Sequence, residues 1–297
     1  MERRRFGATD LAVSALGFGG SEIGSESDPK RVQAILEGAL DAGLNVLDTS
    51  ACYGRSEELI GSAVSHRRHE VYLFTKCGHA SGLQTPDWTA ETVRNSIDRS
   101  LRRLKTDYVD LIQLHTCGIE VLERGDVIDE LEKARRAGKV RYIGYSGDNA
   151  PARWAVESGR FDTLQTSCNI ADQSVLDEII PLAHARNMGI IAKRPVANVA
   201  WRMERLPEED YGYVYGLRLK ALQFPLTREP LNDAVAMALR FTLSVPGVAT
   251  AIVGTKKPGR WQENAAHVAR GPLDMGIYEE IRNIWKKTAD ERWTAET

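Results

Sequence analysis

Short apolar runs recur along the chain at residues 14–18, 45–47, 71–75, 108–114, 140–145, 163–165, 190–192 and 250–253, and a segment of helical period follows each. After Asp28-Pro29, apolar residues fall at Val32, Ile35, Leu36, Ala39 and Leu40, one face of a helix that Gly43 stops. After Thr89 the same spacing returns at Val93, Ile97, Leu101 and Leu104, and Ser174-x-x-Asp177 reads as a capping pattern before Ile179, Ile180 and Ala183. Eight strand–helix units without a composition shift predict an α/β fold, a closed (β/α)8 TIM barrel whose parallel strands are covered by helices. Residues 3–13, with Ala8-Thr9-Asp10 as the turn, predict an N-terminal β-hairpin that plugs one end, and residues 273–293 a C-terminal amphipathic helix. An open doubly wound sheet is the alternative, but Gly17-Phe18-Gly19-Gly20-Ser21 has the wrong spacing for a dinucleotide-binding G-x-G-x-x-G. Residues 195–230, with Trp201, Tyr211, Tyr213, Tyr215 and Phe224, interrupt the rhythm as a long loop, either a binding loop or a surface excursion packed by its own aromatics.

The chain has 297 residues, 42% hydrophobic and 27% charged, enough for one large core, so residues 1–297 are expected to form a single domain. A net charge of -2 offers no footprint for nucleic acid or an anionic membrane. The basic start, Met1 to Arg5, leads into no apolar signal segment, and no run approaches the roughly 18 apolar residues of a membrane span, so a soluble cytoplasmic protein is expected. Cys52, Cys77, Cys117 and Cys168 form no C-x-x-C pair, which predicts free thiols and no metal site.

In such a barrel chemistry collects where strands end. The strand-ending residues are Asp48, Lys76, His115, Ser146, Gln165, Lys193 and Gly254, with Tyr53 in the loop after Asp48. Singly, each polar residue has a structural explanation, such as a helix cap, a core aromatic or a satisfied core histidine. Three strongly polar ends in consecutive units beside a tyrosine are hard to explain by packing. A phenol with an ordinary pKa of about 10 is a better proton donor when its anion is stabilised. An ammonium about 4 Å away contributes on the order of 4 kcal/mol before desolvation is subtracted. Lys76 supplies that cation, Asp48 keeps it charged, and His115 orients the substrate oxygen. Such a site either does proton chemistry alone or works on a cofactor. After the last strand, Thr255-Lys256-Lys257-Pro258-Gly259-Arg260 places basic residues where a helix begins, with Pro258 as its first residue; this suits a phosphate, although a solvated basic turn has the same composition.

With these residues in place the sequence resembles the aldo-keto reductase family over nearly its whole length. The resemblance rests on Leu47-Asp48-Thr49-x-x-x-Tyr53-Gly54-x-Ser56-Glu57 with Gly61, on Thr75-Lys76, on Leu101-Arg102-Arg103-Leu104-x-x-Asp107-Tyr108-x-Asp110-Leu111-x-x-x-His115, and on Gly138-Lys139-Val140-Arg141-x-Ile143-Gly144-x-Ser146. It implies reduction of an aldehyde or ketone by hydride from nicotinamide C4, with Tyr53 as general acid, Lys76 and Asp48 tuning it, and His115 positioning a small-molecule carbonyl substrate. It assigns the nicotinamide carboxamide to Ser146 and Gln165, the 2′-phosphate to Thr255, Lys256 and Arg260, and the adenine to Glu263 and Asn264, which favours NADPH (NADP) as cofactor. Gly20, Lys193, Arg194 and Gly254 complete the implied cofactor-binding set.

Two positions depart from the family's pattern. Gly147 stands where an asparagine is usual, with Asn169 as a substitute, and Lys193-Arg194-Pro195 stands where an aromatic usually stacks on the nicotinamide. A guanidinium plane can take that role, so Arg194 is expected to, and to disfavour oxidised, positively charged NADP⁺. All four cysteines follow strand ends, which places them at the mouth, where a neighbouring ammonium lowers thiol pKa; a thiol reagent is expected to inactivate, with protection by NADPH. The other readings are a sugar or alcohol dehydrogenase working oxidatively, a nucleotide-sensing binding protein on the same fold, and a Schiff-base lyase using Lys76. Trp88, Trp201 and the 195–230 loop are expected to set the pocket walls. The oligomeric state is not legible in the sequence.

Overall fold

The computed structural model describes residues 1–203 and 207–296. Strands β1 (Arg3–Arg5) and β2 (Ala12–Ser14) pair antiparallel as the expected hairpin. Eight parallel strands follow: β3 (Leu16–Gly19), β4 (Val46–Asp48), β5 (Tyr72–Cys77), β6 (Val109–His115), β7 (Val140–Ser146), β8 (Thr163–Ser167), β9 (Gly189–Lys193) and β10 (Val248–Val253). β10 pairs with both β9 and β3, which closes the barrel. All eight expected strands are present. The first starts later than its apolar run, because Ser14 is taken by the hairpin, where its backbone N–H donates to Asn45 Oδ1 at 2.7 Å.

The helices are α1 (Pro29–Asp41), α2 (Ser56–Val64), α3 (Ala90–Leu104), α4 (Ile119–Arg124), α5 (Asp126–Arg136), α6 (Asn149–Ser158), α7 (Ile179–Ala185), α8 (Tyr213–Leu222), α9 (Leu231–Ser244), α10 (Arg260–Val268) and α11 (Met275–Thr288). α1 forms where a cap, a first-turn proline and an apolar stripe coincide: Asp28 accepts from Lys30 N–H, and Val32, Ile35, Leu36, Ala39 and Leu40 are buried. α3 is capped by Thr89, which accepts from Thr92 N–H, and it stops at Lys105 in the left-handed conformation.

Three local expectations are corrected. Ser174-x-x-Asp177 caps nothing: Ser174 opens a short 3-10 turn, α7 begins at Ile179, and Asp177 accepts from Arg282 at 2.6 Å instead. Pro258 is not the first residue of α10, because Gly259 beyond it takes φ +83° and sets the helix start at Arg260. The 195–230 segment is no uninterrupted loop, since α8 and two 3-10 turns lie within it; its residues 204–206 fall outside the described residues.

Two apolar layers result. One lies between strands and helices. The other fills the barrel, where Phe6, Leu11 and Val13 of the hairpin region meet Val46, Phe74, Leu111, Ile191 and Ala249. Phe6 stacks on Phe74, ring centroids 5.5 Å apart. The hairpin therefore closes the end where strands begin and leaves the end where they finish for chemistry.

Candidate active site

β4 finishes in Asp48, β6 finishes in His115, and β5 carries Lys76 one residue before its end. Lys76 Nζ donates to Asp48 Oδ2 at 2.5 Å and to the Thr49 carbonyl at 2.9 Å, with both side chains only 2% exposed. Tyr53 enters from the loop between β4 and α2. That loop is locked from both sides: Tyr53 N–H donates to the Ser50 carbonyl, its own carbonyl accepts from Ser56, and Arg55 N–H donates to the Gly24 carbonyl. Gly24 has to be glycine, since a Cβ there would stand 2.0 Å from the Tyr53 carbonyl oxygen. Tyr53 Oη lies 3.5 Å from His115 Nε2, and Lys76 Nζ lies 5.1 Å from the centre of the tyrosine ring. The three residues read from the strand ends and the loop tyrosine thus come together at the barrel mouth.

Burial governs their protonation. It pushes the Asp48 carboxyl up, against the Lys76 charge. For Lys76, burial is the largest single effect and works against the ammonium, but the neighbouring groups, Asp48 first among them, together outweigh it and raise the pKa, so the lysine stays charged. Tyr53 departs from expectation: burial raises its pKa above the ordinary value, and the Lys76 charge opposes this only in part. His115 is held well below its ordinary value, first by burial and then by Lys76, His79, Lys193 and Arg194, so its imidazole is neutral near pH 7.

Sequence reasoning missed Gln113. Its Nε2 donates to Gln165 Oε1 at 2.9 Å and lies 3.5 Å from Asp48 Oδ1, tying two strand-end residues together across the barrel. The signal was there: Gln113 is polar in a buried parallel strand and sits two residues before His115, on the same face. Asp148 was also missed. It pairs with Lys193 at 2.7 Å and accepts from Thr166 Oγ1 and Ser167 N–H, so the mouth holds a second lysine–carboxylate pair.

Ser146 and Gln165 are register partners on β7 and β8, both buried. Gly147 replaces the asparagine for a steric reason, since a Cβ there would stand 2.6 Å from Tyr145 Oη, which is fixed by donating to the Cys117 carbonyl at 2.8 Å. Asn169 is fully buried and its Nδ2 has no partner among the described residues, a donor free for a ligand. Arg194 instead donates to Ser167 Oγ at 2.9 Å and to the Glu296 carbonyl, and its guanidinium lies 4.2 Å from the centre of the Tyr211 ring. Gly20 N–H donates to the Asp48 carbonyl at 2.7 Å, and Gly254 lies against the Gly19 carbonyl. Beyond β10, Thr255 Oγ1 accepts from Lys257 N–H, Lys256 Nζ donates to Ser25 Oγ, Arg260 pairs with Glu263, and Asn264 is buried. A basic loop ahead of the N-terminus of α10, with an unpartnered buried amide at the mouth, fits a phosphate-bearing cofactor.

The cysteine expectation is corrected for three of four thiols. Cys77, Cys117 and Cys168 are buried, and burial pushes Cys117 up to about 12 and the other two higher still. Cys52 alone is exposed, its Sγ 3.4 Å from His115 Nδ1 and 3.1 Å from Ser50 Oγ. Among the described residues no His/Cys/Asp/Glu group could hold a metal, and no helix is long and apolar enough to cross a membrane.

Known proteins resemble this chain in sequence and fold. The chain matches the family model described as "Aldo/keto reductase family" over residues 15–286. It is 30% identical to the L-galactose dehydrogenase of Arabidopsis thaliana, covering 99% of this chain and 97% of that protein. It is 28% identical to the D-threo-aldose 1-dehydrogenase of a Pseudomonas species, covering 92% and 94%. The solved holo form of aldo-keto reductase AKR11C1 from Bacillus halodurans superposes with a TM-score of 0.83 at 28% identity, covering 99% of each chain. With a family match of this extent, and oxidoreductases among its full-length relatives, the chain belongs to the aldo/keto reductase family of NAD(P)H-dependent oxidoreductases.

Proposed function

We propose that this protein reduces an aldehyde or ketone of a small molecule to the alcohol with NADPH, and that residues 1–297 act as one cytoplasmic catalytic domain. The observation that carries the reading is the buried Lys76–Asp48 pair at 2.5 Å, set beside Tyr53, whose hydroxyl lies 3.5 Å from His115 Nε2. A carbonyl oxygen that reaches both Tyr53 Oη and His115 Nε2 has a proton donor and a positioning imidazole. Asp48 is no acid catalyst: its charge is committed to Lys76, and Lys76 in turn stabilises the tyrosinate left when Tyr53 gives up its proton. Gln113 fixes Asp48 and Gln165 relative to each other. Ser146, Gln165 and Asn169 would hold the nicotinamide carboxamide, with Gly20, Lys193, Arg194 and Gly254 lining that end. Thr255, Lys256 and Arg260 would hold the 2′-phosphate, and Glu263 and Asn264 the adenine. The bound cofactor supplies the hydride that the side chains lack.

Consumption of NADPH with a nitrobenzaldehyde tests this. Wild-type protein is expected to turn over, and Tyr53→Phe to lose roughly a hundredfold to ten-thousandfold in kcat, the usual worth of a positioned proton donor. An unaffected Tyr53→Phe enzyme sinks the assignment, and no turnover by any nicotinamide favours a nucleotide-sensing protein. The two dehydrogenase relatives favour one second reading, oxidation of a sugar in the reverse direction, so the substrate panel is run both ways. A Schiff base at Lys76 is disfavoured because its amine is buried and held charged.

A further inference from the structure

The segment between β5 and α3, residues 78–89, forms one wall of the mouth and is braced at five points. Trp88 N–H donates to the Gly78 carbonyl at 2.9 Å, and Asp87 Oδ1 accepts from Ala80 N–H at 2.8 Å. Arg99 donates to the carbonyls of Ser81 and Ala80, and Arg124 to that of Trp88. The Trp88 ring lies directly on Gly78, where φ is +117° and a Cβ would come 1.8 Å from the indole.

His79 is held inside this frame. Its Nδ1 lies 3.0 Å from Asp87 Oδ2, its ring meets Trp88 edge-on at 4.6 Å between centroids, and it meets His115 edge-on at 5.5 Å. Nε2 has no hydrogen-bond partner among the described residues, and the side chain is 35% exposed. The Asp87 carboxyl is kept below its usual range by Ala80 N–H and then by His79, so it remains an acceptor and takes the Nδ1 proton, which fixes the orientation of the ring. What is left is Nε2, aligned by a carboxylate on one side of the ring and two aromatic rings on the other. Neither the proton transfer nor the cofactor loop uses it.

We propose that His79, positioned by Asp87, determines specificity by hydrogen-bonding a hydroxyl close to the substrate carbonyl, so that the preferred substrates are hydroxy-aldehydes or hydroxy-ketones. This rests on the reductase reading above. A carbonyl oxygen held by Tyr53 and His115 sets the adjoining carbons beside the His115 ring, next to which His79 stands. An imidazole nitrogen with no partner of its own rewards a hydroxyl, while a substrate that lacks the hydroxyl leaves that nitrogen unpaired. Trp88 offers an apolar edge to the carbon chain between the two polar groups. The positions of Asp87, His79 and His115 therefore measure off a carbonyl and a nearby hydroxyl.

The test compares lactaldehyde with propanal, equal in carbon number and differing by one hydroxyl, in steady-state turnover with NADPH. Wild-type enzyme is expected to favour lactaldehyde by about tenfold in kcat/KM, the worth of one hydrogen bond, mainly through KM. His79→Phe is expected to bring the ratio close to one, His79→Gln to keep part of it through its amide, and Asp87→Ala to lower it by freeing the imidazole. Because both aldehydes are read on the same preparation, a variant that merely folds less well changes both rates together and leaves the ratio alone. A wild-type ratio near one with both aldehydes turned over, or a His79→Phe enzyme that keeps the wild-type ratio, overturns the proposal while the reductase reading stands. Failure to turn over either aldehyde overturns both.

Discussion

Asp48 and Lys76 could be read from the sequence because a charged residue at the end of an apolar strand has few places to go. Gln113, though it shares the face of His115, was passed over because inside a strand its amide competes with the simpler expectation that a buried strand is apolar throughout. Tyr53 was found, but the direction of its pKa was not, since desolvation depends on packing around the ring and a motif carries no packing. That correction fixes a pH dependence. The proposed reduction needs Tyr53 protonated, and burial raises its pKa above 10.0, so the acid form persists through the neutral range. His115 ionises only well below 6.5. The rate kcat/KM for reduction is therefore expected to be flat from about pH 6.5 to 10 and to fall only above that. A fall starting near pH 7 in a steady-state profile would mean that the raised tyrosine pKa is wrong. Cysteine chemistry is decided at the same scale. Iodoacetamide is expected to alkylate Cys52 and spare the three buried thiols, because only Cys52 is exposed. Peptide mapping by mass spectrometry after brief labelling checks it, and the expected accompaniment is loss of turnover that NADPH slows, since Cys52 touches His115.

Among the elements, strands were legible to within a few residues because eight apolar runs with one period allow little else. Helix starts were less so. Pro258 has the φ preference of a first helical residue, yet Gly259 after it takes a left-handed turn that no residue type announces as a boundary. The consequence is functional, because that turn sets Lys256 and Lys257 ahead of α10 and leaves Arg260 as its first residue. Lys256 is held by Ser25 and Arg260 by Glu263, so both bonds would have to be exchanged for a phosphate to bind there. If this loop reads the 2′-phosphate, Lys256→Ala with Arg260→Ala is expected to raise KM for NADPH by about tenfold to a hundredfold and to leave KM for NADH within about twofold, since each charge-assisted bond contributes roughly 1.5–3 kcal/mol before its exchange cost. Initial rates with both cofactors decide it, and equal losses for NADPH and NADH would remove the assignment.

Across the whole molecule the barrel's two ends divide the labour. The hairpin at one end carries no polar residue of the site, yet Phe6 is fully buried against Phe74, and its ring lies so close to Gly189 that a Cβ there would come 2.7 Å from it. Gly7, at φ +59°, bends the chain so that this ring enters the barrel. The sequence suggested a plug; that the Phe6 ring reaches Phe74 beside Leu11 and Val13 follows only from the barrel's interior, where Leu111, Ile191 and Val46 belong to the same cluster. Phe6→Ala is expected to cost about 3–5 kcal/mol of stability, the usual toll of emptying a packed aromatic site. The mouth lies at the opposite ends of the strands, so kcat at a temperature well below the midpoint is expected to stay within about twofold of wild type. Denaturant unfolding and steady-state kinetics on the same variant separate the two. A large fall in kcat with stability intact would show that the plug shapes the mouth, and that the strands between them transmit strain along their length.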